Sequence, residues 1–199
     1  MLKLVPNILT FGRLVLTILF LAVLLYIPHA AQRVSTFDTA LAIFIIAALT
    51  DIIDGPIARK LNVTSKLGRM LDPLADKVLV CGAFICFAII REPVLFDISE
   101  TNMNIIRWIT AAILIGREGY VTILRHAVEA KGIDFRAVAS GKIKMFLQSF
   151  AVGTVLIKSA HAPAANWGNW FTAVTFLVML SATVISGYSA TRRIPARQA

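Results

Sequence analysis

Between Asp51 and Asp76 the sequence reads DIIDGPIARKLNVTSKLGRMLDPLAD, with four aspartates (Asp51, Asp54, Asp72 and Asp76) and neither His nor Cys. Four carboxylates brought together cannot all stay ionised without a counter-charge. An all-carboxylate donor set selects a hard divalent ion, Mg²⁺ or Mn²⁺. Such ions bind together with substrate phosphates, and two of them can span a pyrophosphate and assist an in-line displacement. The plainer alternative is a belt of salt bridges to Arg59, Lys60, Arg69 and Lys77, for which this spacing is not required.

The elements that must position these groups are helices. Asp51, Asp54, Gly55 and Ala58 follow at i, i+3, i+4 and i+7, and Gly68, Asp72 and Asp76 at i, i+4 and i+8, so each set occupies one helical face. The polar stretch 60–68 turns the chain back, which places both carboxylate pairs at similar depth and lets them converge. Gly55 and Gly68 leave room for a ligand, Ala58 keeps the face shallow, and Arg59 can grip a phosphate with two hydrogen bonds. Pro73 leaves two arrangements open: Asp72 as N-cap with Pro73 at the first helical position, or an earlier start with a proline inside the helix.

The rest of the chain places these helices in a membrane. Of 199 residues, 58% are hydrophobic and only 16% charged, where a soluble globule is about half apolar and a quarter charged. Six apolar stretches, about 8–28, 37–58, 71–90, 105–125, 145–160 and 169–189, approach the roughly 20 residues that a span requires. The fifth is short, and its helix is expected to reach back toward Lys142. Strands are not expected, because in lipid only helices or closed barrels satisfy the backbone and these runs do not alternate. The expected fold is an all-α integral membrane bundle of six transmembrane helices, a single membrane-embedded catalytic domain over residues 1–199. The first span is read as a retained signal-anchor, since five more follow it.

The net charge of +9 is placed asymmetrically. With the N-terminus cytoplasmic, 13 Lys and Arg residues outside the spans or at their ends lie on the cytoplasmic side and three (Arg33, Arg91 and Lys158) on the other. Both termini and the carboxylate motif are therefore expected at the cytoplasmic face of a bacterial plasma-membrane type of protein. The charge serves topology and anionic lipid headgroups, not nucleic acid. Cys81 and Cys86 share one helix and are not expected to pair, and Trp108, Trp167 and Trp170 suit the far interface.

The pattern D-x2-D-G-x2-A-R-x8-G-x3-D-x3-D, met by Asp51, Asp54, Gly55, Ala58, Arg59, Gly68, Asp72 and Asp76, resembles the signature of the CDP-alcohol phosphotransferase family. The six-span layout resembles that family's fold, so the likeness covers nearly the whole chain. The resemblance implies transfer of a substituted phosphate from a CDP-linked donor to an alcohol, with release of CMP. It implies that Asp51, Asp54 and Asp72 bind metal. Asp76 would accept the proton of the acceptor hydroxyl and also touch metal. Gly55, Ala58, Arg59 and Gly68 would line the cytidine-diphosphate pocket. Two ions, Mg²⁺ or Mn²⁺, are expected, and dimers are common in the family, so a homodimer is an expected assembly.

The second half bears on the acceptor. Arg117 lies inside a span, where a charge is costly, and Arg125, Lys142 and Lys144 flank the cytoplasmic side. Pairing of Arg117 with Glu118 or an aspartate, and a positive-inside role for the others, is the bland account. Together they could form a basic pocket facing the carboxylates, suited to an acceptor carrying its own phosphate. The run R-E-x3-T-x-L-R…K-G…G-K-x-K…Q, with Arg117, Glu118, Thr122, Leu124, Arg125, Lys131, Gly132, Gly141, Lys142, Lys144 and Gln148, resembles the phosphatidylglycerophosphate synthase branch of the family. So does PNILTFGRL, with Asn7, Thr10 and Arg13. Met145 stands where that branch often has Thr. The likeness implies CDP-diacylglycerol as donor, with Asn7 and Thr10 joining its site, and glycerol 3-phosphate as acceptor. Other acceptors within the family, inositol phosphate or phosphatidylglycerol giving cardiolipin, are the alternative. A cation transporter is the alternative from another class, opposed by the placing of the aspartates at one membrane face and by the lack of inverted repeats.

Overall fold

Residues in lipid must satisfy their backbone within their own segment, and the described residues of this chain do so by six helices. The structure is a computed structural model that describes residues 5–60, 66–130 and 139–192. The helices are α1 (Val5–Tyr26), α2 (Arg33–Lys60), α3 (Lys66–Ile90), α4 (Glu100–Glu129), α5 (Ala139–His161) and α6 (Asn166–Thr191). A single 3-10 turn, Ile27–His29, follows α1 and carries Pro28. No strand occurs among the described residues. The six helices correspond one for one to the six expected stretches.

Four of them contain stretches long and apolar enough to cross a membrane: Phe11–His29, Arg33–Thr50, Ile143–His161 and Asn166–Thr191. The helices overrun the apolar runs at their polar ends. α5 starts at Ala139, beyond the Lys142 expected, and α4 spans 30 residues, about 45 Å of axis. Ser99 caps α4 by accepting a hydrogen bond from the Asn102 amide, and Glu100 complements the helix dipole there. α3 begins at Lys66, so Pro73 lies inside the helix and the arrangement with Asp72 as N-cap is not adopted.

α1 packs on both α2 and α3, α5 on α2 and α6, and α4 on α3 and α6. Lipid removes the usual hydrophobic drive for helix association, so close packing and polar links must hold the bundle. Small residues supply the first: Ala40 and Ala47 of α2 flank Phe44 on one buried face, and Ala151, Val152 and Val155 form the inner face of α5. Gly82 brings α3 onto α1 so closely that a Cβ there would lie 2.9 Å from Leu21 Cδ1. Helical threonines return their hydroxyl protons to the carbonyl one turn back, as Thr17 does to Arg13 and Thr183 to Met179. Outward faces carry exposed apolar side chains, among them Ile18, Leu177, Val184 and Ile185. Such a surface suits contact with lipid rather than water.

One end of the bundle is tied by buried ions. The 91–99 connection holds a cis Glu92–Pro93 bond, and Arg107, buried in α4, donates to the Pro93 carbonyl through Nε (3.2 Å) and Nη2 (3.0 Å). Lys158 at the end of α5 donates to the carbonyls of Val94 and Pro163. Glu92 accepts from Arg33 Nη2 and from Ser159 Oγ. Trp108, Trp167 and Trp170 are all exposed toward this end, as an aromatic belt requires. Cys81 and Cys86 are both free thiols. The opposite end carries the carboxylate motif.

Candidate active site

Asp51, Asp54, Gly55, Ala58 and Arg59 lie in the last turns of α2, and Gly68, Asp72 and Asp76 in the first half of α3. Both stretches are helical, so the i, i+3 and i, i+4 spacings put each pair of aspartates on one face. Pro56 and Pro73 stand within these helices, and without an N–H they leave the carbonyls of Ile52 and Arg69 without their usual donor. Asn7 and Thr10 lie on α1, and Lys142 on α5. The side chains of Asn7, Thr10, Asp51, Asp54, Ala58, Arg59, Asp72 and Lys142 are outside the described residues, as is the 61–65 connection. The convergence of the two pairs expected from the sequence falls there too.

Asp76 is described, and its surroundings identify a residue whose role the sequence reading missed. Arg13 of α1, only 1% exposed, donates from Nη1 to Asp76 Oδ1 at 2.9 Å. A signal for this was present: a cation in the middle of an apolar helix demands a buried counter-charge. α1 thus contributes a buried cation to the carboxylate site, and a charge-assisted bond of this kind fixes both the charge and the direction of the carboxylate.

Two basic residues of the second half, Arg117 and Lys144, meet at Glu118 on α4. Its Oε1 accepts from Arg117 Nη1 at 3.0 Å and also from Lys144 Nζ of α5. Arg117 reaches further, donating from Nη2 to Ser186 Oγ of α6 at 2.5 Å. Side-chain exposures of 12% for Arg117, 13% for Glu118 and 5% for Lys144 show that the group is buried. Arg117 therefore pairs with Glu118, which was one of the two arrangements expected. Arg125, two turns along α4, is half-buried.

The two clusters are joined. Lys77, next to Asp76, donates from Nζ to Thr122 Oγ1 at 2.6 Å, and Thr122 Oγ1 donates to the Glu118 carbonyl at 2.6 Å. The bond from α3 to α4 places the basic group one side-chain link from the aspartate helix. Among the described side chains, this brings the Asp76 carboxylate of α3 into one neighbourhood with cations on α1, α4 and α5.

The donor set fits a divalent ion. Among the described side chains no group of three or more His, Cys, Asp or Glu gathers as a metal site, and Asp51, Asp54 and Asp72 lie outside them. Four carboxylates at helical spacing are hard oxygen donors of the type Mg²⁺ and Mn²⁺ take.

Known proteins resemble this chain over most of its length. Residues 3–185 match the family model described as CDP-alcohol phosphatidyltransferase. A protein of Bacillus subtilis (strain 168), named CDP-diacylglycerol–glycerol-3-phosphate 3-phosphatidyltransferase, is 33% identical over 191 residues, covering 92% of this chain and 91% of that one. Proteins bearing the same name in Salmonella choleraesuis (36% identical, 76% of each chain) and Rickettsia felis (29% identical, 94% and 93%) align likewise. A family match over nearly the whole length, on a helical bundle whose α2 and α3 carry the aspartate motif, places this chain in the CDP-alcohol phosphatidyltransferase family.

Proposed function

We propose that this protein transfers the phosphatidyl group of CDP-diacylglycerol to sn-glycerol 3-phosphate, giving phosphatidylglycerol phosphate and CMP. The observation that carries the choice of acceptor is the buried cationic group of Arg117 and Lys144, linked through Thr122 and Lys77 to the helix that bears Asp76. An acceptor with its own phosphate needs such a group, whereas serine or choline does not. The names of the aligned relatives agree with this reading.

In this reading the donor's acyl chains stay in lipid and its headgroup enters from the cytoplasmic face, with both termini on that side. Asn7, Thr10, Gly55, Ala58, Arg59 and Gly68 line the cytidine-diphosphate pocket. Asp51, Asp54, Asp72 and Asp76 would hold two Mg²⁺ or Mn²⁺ ions, which when bound supply charge neutralisation of the pyrophosphate and of the departing CMP phosphate. Asp76 takes the proton of the acceptor's primary hydroxyl, aimed by Arg13. The oxygen attacks the β-phosphorus, the bond from that phosphorus to the bridging oxygen breaks, and CMP leaves with the electron pair. Arg117, Arg125, Lys142 and Lys144 hold the acceptor phosphate, and such orientation supplies a large share of the rate. A homodimer belongs to the same proposal.

The test is CMP release by purified protein in detergent from CDP-diacylglycerol, with and without glycerol 3-phosphate. Release that needs glycerol 3-phosphate is the expected result. Release only with another alcohol moves the acceptor, and no release with any alcohol from folded protein refutes the transferase reading. Asp76→Asn should abolish turnover and leave donor binding largely intact.

A further inference from the structure

We propose that Glu118 is a positioning residue for the acceptor. It gathers Arg117 and Lys144 at one carboxylate oxygen and so presets a cationic cradle for a phosphate monoester. This rests on the reading above, in which Arg117 and Lys144 face the acceptor phosphate.

Two buried cations on different helices repel each other and will not hold a fixed spacing unaided. Here both donate to the same atom, Glu118 Oε1, so their charged ends lie within a few ångströms of each other. Two donors held this close can both reach the oxygens of a single phosphate group. Arg117 is further constrained on α6. Its Nη2 is bonded to Ser186 Oγ, and a Cβ on Gly187 would sit 3.4 Å from Arg117 Cγ, so the glycine gives the side chain its track across that helix. Glu118 is itself anchored, since Thr122 ties its carbonyl to Lys77 of α3.

The charge balance points to an anionic ligand. Among the described residues, Glu118 neutralises one of its two cations, so the trio of Arg117, Glu118 and Lys144 carries one net positive charge. Buried charge is costly unless an opposite charge joins it, and a phosphate dianion would do so. Glu118 thus holds the two cations together while the acceptor is absent, and phosphate adds to the same pair when it arrives.

Steady-state kinetics on Glu118→Gln and Glu118→Asp test this. The expected result is a rise of about tenfold or more in the glycerol 3-phosphate KM of Glu118→Gln, with a much smaller change in kcat and in the donor KM. Inhibition by inorganic phosphate should weaken in parallel, and Glu118→Asp should recover part of the loss. Should Glu118→Gln fail to fold, Ser186→Ala, which removes only one hydroxyl from Arg117, should raise the acceptor KM about two- to fivefold with the donor KM unmoved. An unchanged acceptor KM, or equal changes for donor and acceptor, overturns the role of Glu118 while wild-type turnover leaves the function standing. A wild type that uses a different phosphorylated alcohol is tested in the same way with that alcohol. A wild type active only on unphosphorylated alcohols removes both readings.

Discussion

The Arg13–Asp76 pair is the link between α1 and the aspartate helix, and its contribution is measurable apart from everything else in the site. Arg13 is 1% exposed and Asp76 24% exposed, with 2.9 Å between Nη1 and Oδ1. A hydrogen bond to a charged group contributes about 1.5–3 kcal/mol, and partial exposure of the carboxylate brings the expectation to about 2 kcal/mol. A double-mutant cycle of Arg13→Met and Asp76→Ala isolates that pair whatever else either side chain touches. For a chain of 199 residues, 2 kcal/mol corresponds to about 4–8 °C in Tm. The double variant, followed by intrinsic fluorescence in detergent, should therefore be more stable than the sum of the single losses by that amount. Arg13→Lys keeps the charge but not the planar fork, and should lower the rate of CMP release about tenfold, equivalent to ~1.4 kcal/mol, while retaining most of the stability. Additivity within about 0.5 kcal/mol would refute the pairing and with it the role of α1 in aiming Asp76.

Other outcomes follow from the same structure. EDTA should abolish CMP release and added Mg²⁺ or Mn²⁺ restore it, and Asp51→Asn, Asp54→Asn or Asp72→Asn should each lower it by about 10²–10³-fold; full activity under chelation removes the metal reading. Gly82→Val should destabilise the bundle by about 1–3 kcal/mol, because its Cβ meets Leu21, and Leu21→Ala in the same chain should recover part of the loss in a thermal melt. Lys158→Met should speed proteolysis within 91–99 by stripping the donor from the Val94 and Pro163 carbonyls, yet leave the acceptor KM unchanged, since Lys158 stands roughly 20 Å along α5 from Lys144. A membrane-impermeant maleimide on intact cells should label Asp97→Cys and spare Gln198→Cys, and the reverse labelling would overturn the orientation.

The helices and the carboxylate motif were legible because both depend on local periodicity. Apolar runs of span length must be helical in lipid, and a motif spread over one helical hairpin is read from spacing alone. Helix ends were less legible. α5 begins at Ala139 rather than near Lys142, because polar residues extend a helix past the apolar segment without a hydropathy signal. Pro73 had two local solutions, and the choice of the interior one became visible only with the start of α3 at Lys66. What sequence could not supply is partnership over long separations. Arg13 and Asp76 are 63 residues apart, and Lys144 lies 26 from Glu118. Each of these charges inside a helix announces that it needs a partner, but several acids and bases could satisfy each one, and only the packing of α1 on α3, and of α4 and α5 each on α3 and α6, selects among them. The bland and the functional accounts of Arg117 also cease to exclude each other. Its bond to Glu118 is the structural pair that a buried charge requires, and because Lys144 shares the same oxygen, that pair is also what shapes a place for a second anion.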